Sequence, residues 1–329
     1  MKTMTSLIFR YSTSLGLSND LVVNDSNDQC SQHKVSSLIS AAEAIKHFNE
    51  NNNVVKFVDS SWHLNKTRKG KEEFLHSRIP GASFFDIDDV SDKRSSLPHM
   101  LPSEKLFEEQ ISSMGISSHH HVIVYATAGS FSAPRVWWTF KVFGHNRVSV
   151  LDGGLPAWIA ADGPTESGPY VSAESKGTFT ANLNSNMVVD RNYVLNLVNS
   201  GMKGQQLLDA RSKGRFLGLE PEPRPGLPSG HMPGSLSLPF SAVVANGDVT
   251  RFKSKEEISA AFQEAGLVAG DKAVLSCGSG VSAAVLCLAL DVLGRDISES
   301  VAIYDGSWTE WASTDGSPIV SEAPKPATA

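Results

Sequence analysis

A set of short motifs occurs twice in this chain, in one order and at nearly one separation. Val54-Val55-Lys56-Phe57-Val58-Asp59 is an apolar run closed by an aspartate; Gln206-Leu207-Leu208-Asp209-Ala210-Arg211 repeats it, with the aspartate 150 residues on. Arg78-Ile79-Pro80-Gly81-Ala82 is answered by His231-Met232-Pro233-Gly234-Ser235, 153 residues further along. The same distance separates Leu151-Asp152-Gly153-Gly154-Leu155-Pro156-Ala157-Trp158 from Tyr304-Asp305-Gly306-Ser307-Trp308-Thr309-Glu310-Trp311. Recurrence of this kind marks a tandem duplication of one unit of roughly 130 residues. Whatever fold the chain adopts must work twice.

Within each copy, short apolar strands alternate with helices. The second copy reads as a strand at 207–209, a polar, proline-rich excursion over 213–229 and a short strand at 235–239. An amphipathic helix over 254–265, a buried strand at 273–276, an Ala- and Leu-rich helix from 281 to 293 and a strand at 301–304 follow. Ser254 is the expected cap of the amphipathic helix, Glu256 and Glu257 suit the positive end of its dipole, and Gly266 ends it. This alternation predicts an α/β fold of two tandem domains, each a parallel sheet covered by helices on both faces. The expected layout is a flexible or targeting segment over 1–34, a first domain over 35–162 and a Gly-, Pro-, Ser- and Glu-rich linker over 163–180. A second domain over 181–320 and a loose tail over 321–329 complete it.

Composition narrows the functions open to such a chain. A net charge of −6 excludes general nucleic-acid binding, which needs basic stripes against phosphates. No apolar run approaches the roughly 18 residues of a membrane helix. The three cysteines, Cys30, Cys277 and Cys287, have neither a disulfide pattern nor zinc-ligand spacing, which favours a reducing compartment. Residues 1–19 contain no acidic residue, two basic ones (Lys2 and Arg10) and many Ser and Thr. That composition fits a mitochondrial targeting segment as well as a plain flexible terminus, so mitochondrion and cytoplasm are the expected locations.

In an open parallel sheet, ligands bind beyond the carboxyl ends of the strands. There the second copy carries Val274-Leu275-Ser276-Cys277-Gly278-Ser279-Gly280-Val281-Ser282-Ala283. A strand delivers Cys277, a glycine-containing loop follows, and a helix begins. Gly278 and Gly280 let the backbone curl, so that the N–H groups of the loop through Val281 and Ser282 form an anion-binding bowl with the helix N-terminus. Such a setting stabilises a thiolate or a persulfide anion. Cys287 falls in the apolar helix and Cys30 in the polar lead; neither is expected to react. The first copy has Val122-Ile123-Val124-Tyr125-Ala126-Thr127-Ala128-Gly129-Ser130-Phe131-Ser132-Ala133, with no cysteine. Aligning Ser132-Ala133 with Ser282-Ala283 sets Thr127 opposite Cys277. The first domain is therefore expected to be structural and to close one wall of a cleft.

The duplicated layout, the Cys277 loop, Ser229-Gly230-His231-Met232-Pro233-Gly234 and Tyr304-Asp305-Gly306-Ser307-Trp308 together resemble the tandem rhodanese family, over nearly everything from residue 36 to 318. Ser132-Ala133-Pro134-Arg135-Val136-Trp137-Trp138 is similar to the mercaptopyruvate-using branch of that family. So is the excursion Gly214-Arg215-Phe216-Leu217-Gly218 with Glu220-Pro221-Glu222-Pro223-Arg224. Thiosulfate-preferring members place basic side chains after the cysteine, whereas Gly278 and Ser279 leave this loop neutral. The resemblance implies a sulfurtransferase that moves sulfur from 3-mercaptopyruvate to a thiol or cyanide through a Cys277 persulfide, releasing pyruvate. It gives Ser279 the task of holding or relaying a proton, and Arg215 and Arg224 the donor's carboxylate and ketone. It implies no cofactor and no metal, and thioredoxin or another thiol as acceptor.

One position departs from that branch, which often carries a histidine just before the first Ile-Pro-Gly. Arg78 stands there, and His76 lies two residues earlier, so the motif does not support a Ser-His-Asp relay. His119-His120-His121 enters a strand, where neighbours face opposite sides, and a solvated cap is expected rather than a metal site. Two other functions use the same cysteine: a thiosulfate:cyanide sulfurtransferase, which the neutral loop disfavours, and a protein-fed persulfide carrier of the kind that serves tRNA thiolation. A Cys-x5-Arg phosphatase needs arginine at position 283, where this chain has Ala283.

Overall fold

The computed structural model describes residues 35–50, 53–171 and 175–323. The expected targeting segment with Cys30, and the tail beyond residue 323, lie outside them. The first copy runs β1 (Leu38–Ile39), α1 (Ala41–Asn49), β2 (Val55–Asp59), α2 (Gly70–His76), β3 (Ser83–Phe84), α3 (Glu104–Ser113), β4 (His121–Tyr125), α4 (Ala133–Val142), β5 (Val148–Leu151) and α5 (Gly154–Ala160). The second runs β6 (Val188–Val189), α6 (Arg191–Asn199), β7 (Gln205–Asp209), α7 (Lys213–Leu217), β8 (Leu236–Ser237), β9 (Val244–Ala245) and β10 (Asp248–Phe252). It ends with α8 (Lys255–Glu264), β11 (Lys272–Ser276), α9 (Ala283–Val292), α10 (Ile297–Ser300), β12 (Val301–Tyr304) and α11 (Ser307–Ser313).

The repeat in sequence is a repeat of topology. The two sheets have the orders β1-β5-β4-β2-β3 and β6-β12-β11-β7-β8, with every neighbouring pair parallel. The antiparallel pair of β9 and β10 is an addition of the second copy. β4 and β11 lie at the centre of their sheets, and all but Lys272 of their residues are buried, as strands between two helical layers must be. α8 starts where its sequence predicts: Ser254 Oγ accepts the Glu257 N–H, and the Glu257 carboxylate accepts the Ser254 N–H.

Two segments are more ordered than their composition leads one to expect. The polar excursion opens with α7, whose first turn is capped by Ser212 and whose end is set by Gly218 at φ +81°. The Glu322 N–H donates to the Leu217 carbonyl at 2.8 Å, so the first residues of the expected tail are held against the body. The equivalent helices α4 and α9 pack on one another, with all of α4 buried, and one apolar core runs through both copies. Burial on that scale makes the two copies a single body.

His119-His120-His121 is not the solvated cap expected of it. His121 opens β4 inside the sheet, buried, with Nε2 2.8 Å from Ser149 Oγ and its ring edge-on to His47. His120 is buried too, its Nδ1 accepting the Ser117 N–H, and His145 lies beside the Arg147 carbonyl. Among the described residues, no group of three or more His, Cys, Asp or Glu side chains is placed to hold a metal. Burial pushes His120, His121 and His145 down to about 4. The unfolded chain, with its histidines near 6.5, therefore takes up protons first as pH falls. Stability is whole above about pH 6.5 and drains away toward pH 4, by on the order of 3 kcal/mol at most for His121 or His145, and by less for His120, which solvent screens more. Tm is expected to drop steeply over that interval, and His121→Gln to flatten the curve; a Tm indifferent to pH there would refute the assignment.

Candidate active site

β11 ends at Ser276 and α9 begins at Ala283; the six residues between them form a loop around the Cys277 thiol, which is 2% exposed. Three carbonyls of this loop are drawn outward. That of Cys277 accepts the Trp308 N–H at 2.9 Å, and that of Gly278 accepts the Thr309 N–H at 2.9 Å and the Thr309 hydroxyl at 2.6 Å. That of Gly280 accepts Arg135 Nη1 at 3.2 Å. In a trans peptide the N–H opposes the C=O, so the N–H groups of Gly278, Ser279 and Val281 turn inward. None of the three has an acceptor among the described residues. The N–H groups of Cys277 and Gly280 instead donate to Ser307 Oγ, at 3.2 and 3.1 Å, and the Ser307 hydroxyl donates to the Tyr304 carbonyl.

Two guanidinium groups stand over this bowl. A Cβ placed on Gly278 would lie 3.2 Å from Arg215 Nη2 and 3.7 Å from Arg224 Nη1. Arg215 is gripped by Glu222, Nε to Oε1 at 3.1 Å and Nη2 to Oε2 at 2.6 Å. The Glu222 side chain is enclosed and also accepts Arg211 Nη1 at 2.8 Å, while Arg211 is doubly paired with Asp209. Arg224 Nη2 donates to Ser279 Oγ at 3.2 Å. Burial pulls the Arg224 guanidinium below its ordinary value, and the neighbouring Cys277 opposes that shift.

Cys277, Gly278, Ser279, Val281, Ser282, Arg215 and Arg224 thus converge on one narrow cleft. Gly280 lies behind it, at φ +76°. The opposite wall comes from the first copy: Trp62, Leu64 and Phe131. Trp62 is held there by Asp88, which accepts its indole N–H at 2.9 Å and sits 2.9 Å from His99 Nδ1. A buried thiol, inward N–H groups, two cations and an apolar wall make a cleft that can hold an anion beside the thiol. Comparison with known proteins agrees on the family: the profile of the Rhodanese-like domain matches residues 40–161 and again residues 192–314.

The chain belongs to the rhodanese family. It is similar to the 3-mercaptopyruvate sulfurtransferase of Rattus norvegicus, 41% identical over 260 residues that cover 78% of this chain and 84% of that protein. It is equally similar to the thiosulfate sulfurtransferase of Bos taurus, 42% identical over 260 residues with the same coverage of each. The sulfur transferase subunit of yeast mitochondrial complex I, a sub-stoichiometric component of that assembly, superposes with a TM-score of 0.77 at 36% identity, covering 87% of this chain and 100% of the other.

The two rhodanese domains differ where the chemistry lies. Tyr125 pairs with Asp59 as Ser276 pairs with Asp209, and the Leu155 N–H reaches the Ala126 carbonyl as that of Trp308 reaches Cys277. This register sets Ala126, not Thr127, in the place of Cys277. The loop of the first rhodanese domain is one residue longer, which an alignment from its far end conceals. Thr127 instead donates its hydroxyl to Glu73 at 2.6 Å. His76 lines a separate hollow at the end of the first sheet, beside Thr127 and Leu155. Arg78 is buried against Glu166 at 2.8 Å, whereas His99 packs edge-on against Trp62 of the cleft wall. Cys287 is buried in α9, where desolvation pushes its thiol well up.

Ser307, Glu222 and Arg135 were not singled out from sequence. A signal for Ser307 was present. It aligns with Gly154 across the repeat, and both have positive φ, +50° and +53°. A serine kept in a conformation that favours glycine points to a hydroxyl that is needed there.

Proposed function

We propose that this rhodanese is a sulfurtransferase that takes sulfur from 3-mercaptopyruvate onto Cys277 and passes it to a thiol or to cyanide. The observation that carries this reading is the pair of guanidinium groups, Arg215 and Arg224, over a neutral loop around a buried thiol. The donor's carboxylate and ketone meet the arginine forks, which sets its sulfur over Cys277. The thiolate attacks that sulfur, an S–S bond forms and the C–S bond breaks, and its electron pair leaves on carbon as the enolate of pyruvate. Ser279, whose Oγ accepts from Arg224, keeps its own proton to give or relay to that carbon. The Cys277 persulfide rests against the N–H groups of Gly278, Ser279 and Val281. An acceptor thiolate then attacks the outer sulfur and returns Cys277 as thiolate; cyanide does the same and leaves as thiocyanate.

Thioredoxin, a small thiol or a sulfur-relay protein fits the acceptor role, because each offers a thiolate able to attack the outer sulfur. Location in mitochondria, in cytoplasm or in both fits this chemistry, and the likeness to a mitochondrial complex I subunit favours the first. The likeness to a thiosulfate sulfurtransferase keeps thiosulfate as the second donor to test.

The deciding experiment is intact mass after incubation with 3-mercaptopyruvate, beside a Cys277→Ser control. The expected result is a gain of one sulfur on the wild type alone, with pyruvate released and the gain reversed by a dithiol. A gain from thiosulfate only would reassign the donor. No gain from either would overturn small-donor catalysis and leave a protein-fed carrier.

A further inference from the structure

Among the described residues, Arg135 is the one side chain of the first rhodanese domain hydrogen-bonded to the backbone of the loop that bears Cys277. It projects from α4 and is 2% exposed. Its Nη1 donates to the Gly280 carbonyl at 3.2 Å, and its Nη2 to Asp305 Oδ1 at 2.7 Å and to the His99 carbonyl at 2.5 Å. The face of Trp138 lies 4.6 Å from the guanidinium carbon. The other oxygen of Asp305 accepts the Leu101 N–H at 2.7 Å, so the carboxylate is pinned at both ends. Partners from both domains thus fix the plane of the guanidinium.

The contact has no reciprocal. The pairing of Ser132 with Ser282 sets Val285 opposite Arg135, and Val285 is buried and apolar. Arginine therefore points one way only, from the domain without a reactive thiol into the loop of the domain that has one. Its ligand there is the carbonyl whose rotation decides where the Val281 N–H points, since the two belong to one planar peptide.

We propose that Arg135 is a positioning residue for sulfur transfer: it holds the Gly280 carbonyl outward and so aims the Val281 N–H at the anion on Cys277. The thiol-less domain then contributes to the reaction as well as to the cleft wall. This rests on the reading of Cys277 as the sulfur carrier. Lysine at 135 can pair with Asp305 as a point charge but cannot also fork to Gly280.

The test is Arg135→Lys, followed by alkylation of Cys277 with iodoacetamide across pH, by steady-state kinetics with 3-mercaptopyruvate, and by Tm. The expected result is alkylation at pH 7 slowed about tenfold, with its midpoint about one unit higher. A kcat lower by about tenfold should accompany it, at an unchanged KM, because the donor arginines are untouched. Arg135→Gln, whose amide can still donate to Gly280 but cannot pair with Asp305, should recover part of the midpoint at a lower Tm. If Arg135→Lys lowers Tm yet leaves the midpoint and the kcat per folded molecule alone, the residue is only structural and the proposal is overturned. Failure of both variants to fold would likewise assign Arg135 to assembly of the domains. Alkylation needs no sulfur donor, so it judges Arg135 even if Cys277 never gains a sulfur.

Discussion

Arg215→Ala combined with Arg224→Ala is expected to lower kcat/KM for 3-mercaptopyruvate by about a thousandfold. A hydrogen bond to a charged group contributes about 1.5 to 3 kcal/mol, and each arginine stands to make at least one to the donor. The two are not equivalent in what else they hold. Among the described residues Arg224 is hydrogen-bonded to Ser279 Oγ alone, so Arg224→Ala by itself should cost activity with little change in Tm. Arg215 shares Glu222 with Arg211, and its loss leaves a buried carboxylate with one partner instead of two, which should lower Tm by several degrees. The measurement that separates binding from folding is the second half of the cycle. Enzyme loaded with sulfur beforehand should still pass it to a dithiol at the wild-type rate, since the leaving pyruvate no longer has to be held. An equal loss in both halves would mark the arginines as supports of the loop rather than as donor ligands.

Much of this was legible in the sequence because the duplication can be read by eye and because buried parallel strands have a distinctive composition. β12 falls where its apolar run predicts, and α8 where its capping residues predict, since both signals are local. The Cys277 loop was legible for the same reason: strand, glycines and helix start lie within a dozen residues. What escaped depends on contacts distant in the chain. Arg135 and Gly280 are 145 residues apart, and only the packing of α4 on α9 brings them together. Glu222 looked like one more charge in a polar excursion, yet folding encloses it between two arginines. The placement of Thr127 opposite Cys277 failed because a one-residue difference in loop length is invisible until strand register supplies a second anchor. The solvated cap expected where His119-His120-His121 enters the strand does not form at His120 and His121, because β4 already begins at His121 and both rings are buried.

Gly280→Ala is the most economical way to disturb the bowl without touching a functional side chain, and kcat is expected to fall by more than about a hundredfold, the usual cost of losing an aligned anion donor. Gly280 sits at φ +76°, which costs a side-chain-bearing residue on the order of 1–2 kcal/mol. Space is the larger obstacle. The new Cβ would lie 2.8 Å from Arg135 Nη1 and 3.1 Å from the Asp305 carbonyl. Neither neighbour can yield easily, because Arg135 is tied to Gly280, Asp305 and His99, and Asp305 to Leu101. The strain therefore passes into the loop, which carries Cys277 at one end and the Val281 N–H at the other. Donor binding should survive, as Arg215 and Arg224 approach from the opposite side over Gly278. A fall in kcat at nearly constant KM, together with slower alkylation of Cys277, is the expected pattern. A rise in KM alone would show instead that the loop tolerates the methyl group and that the anion is held chiefly by the arginines.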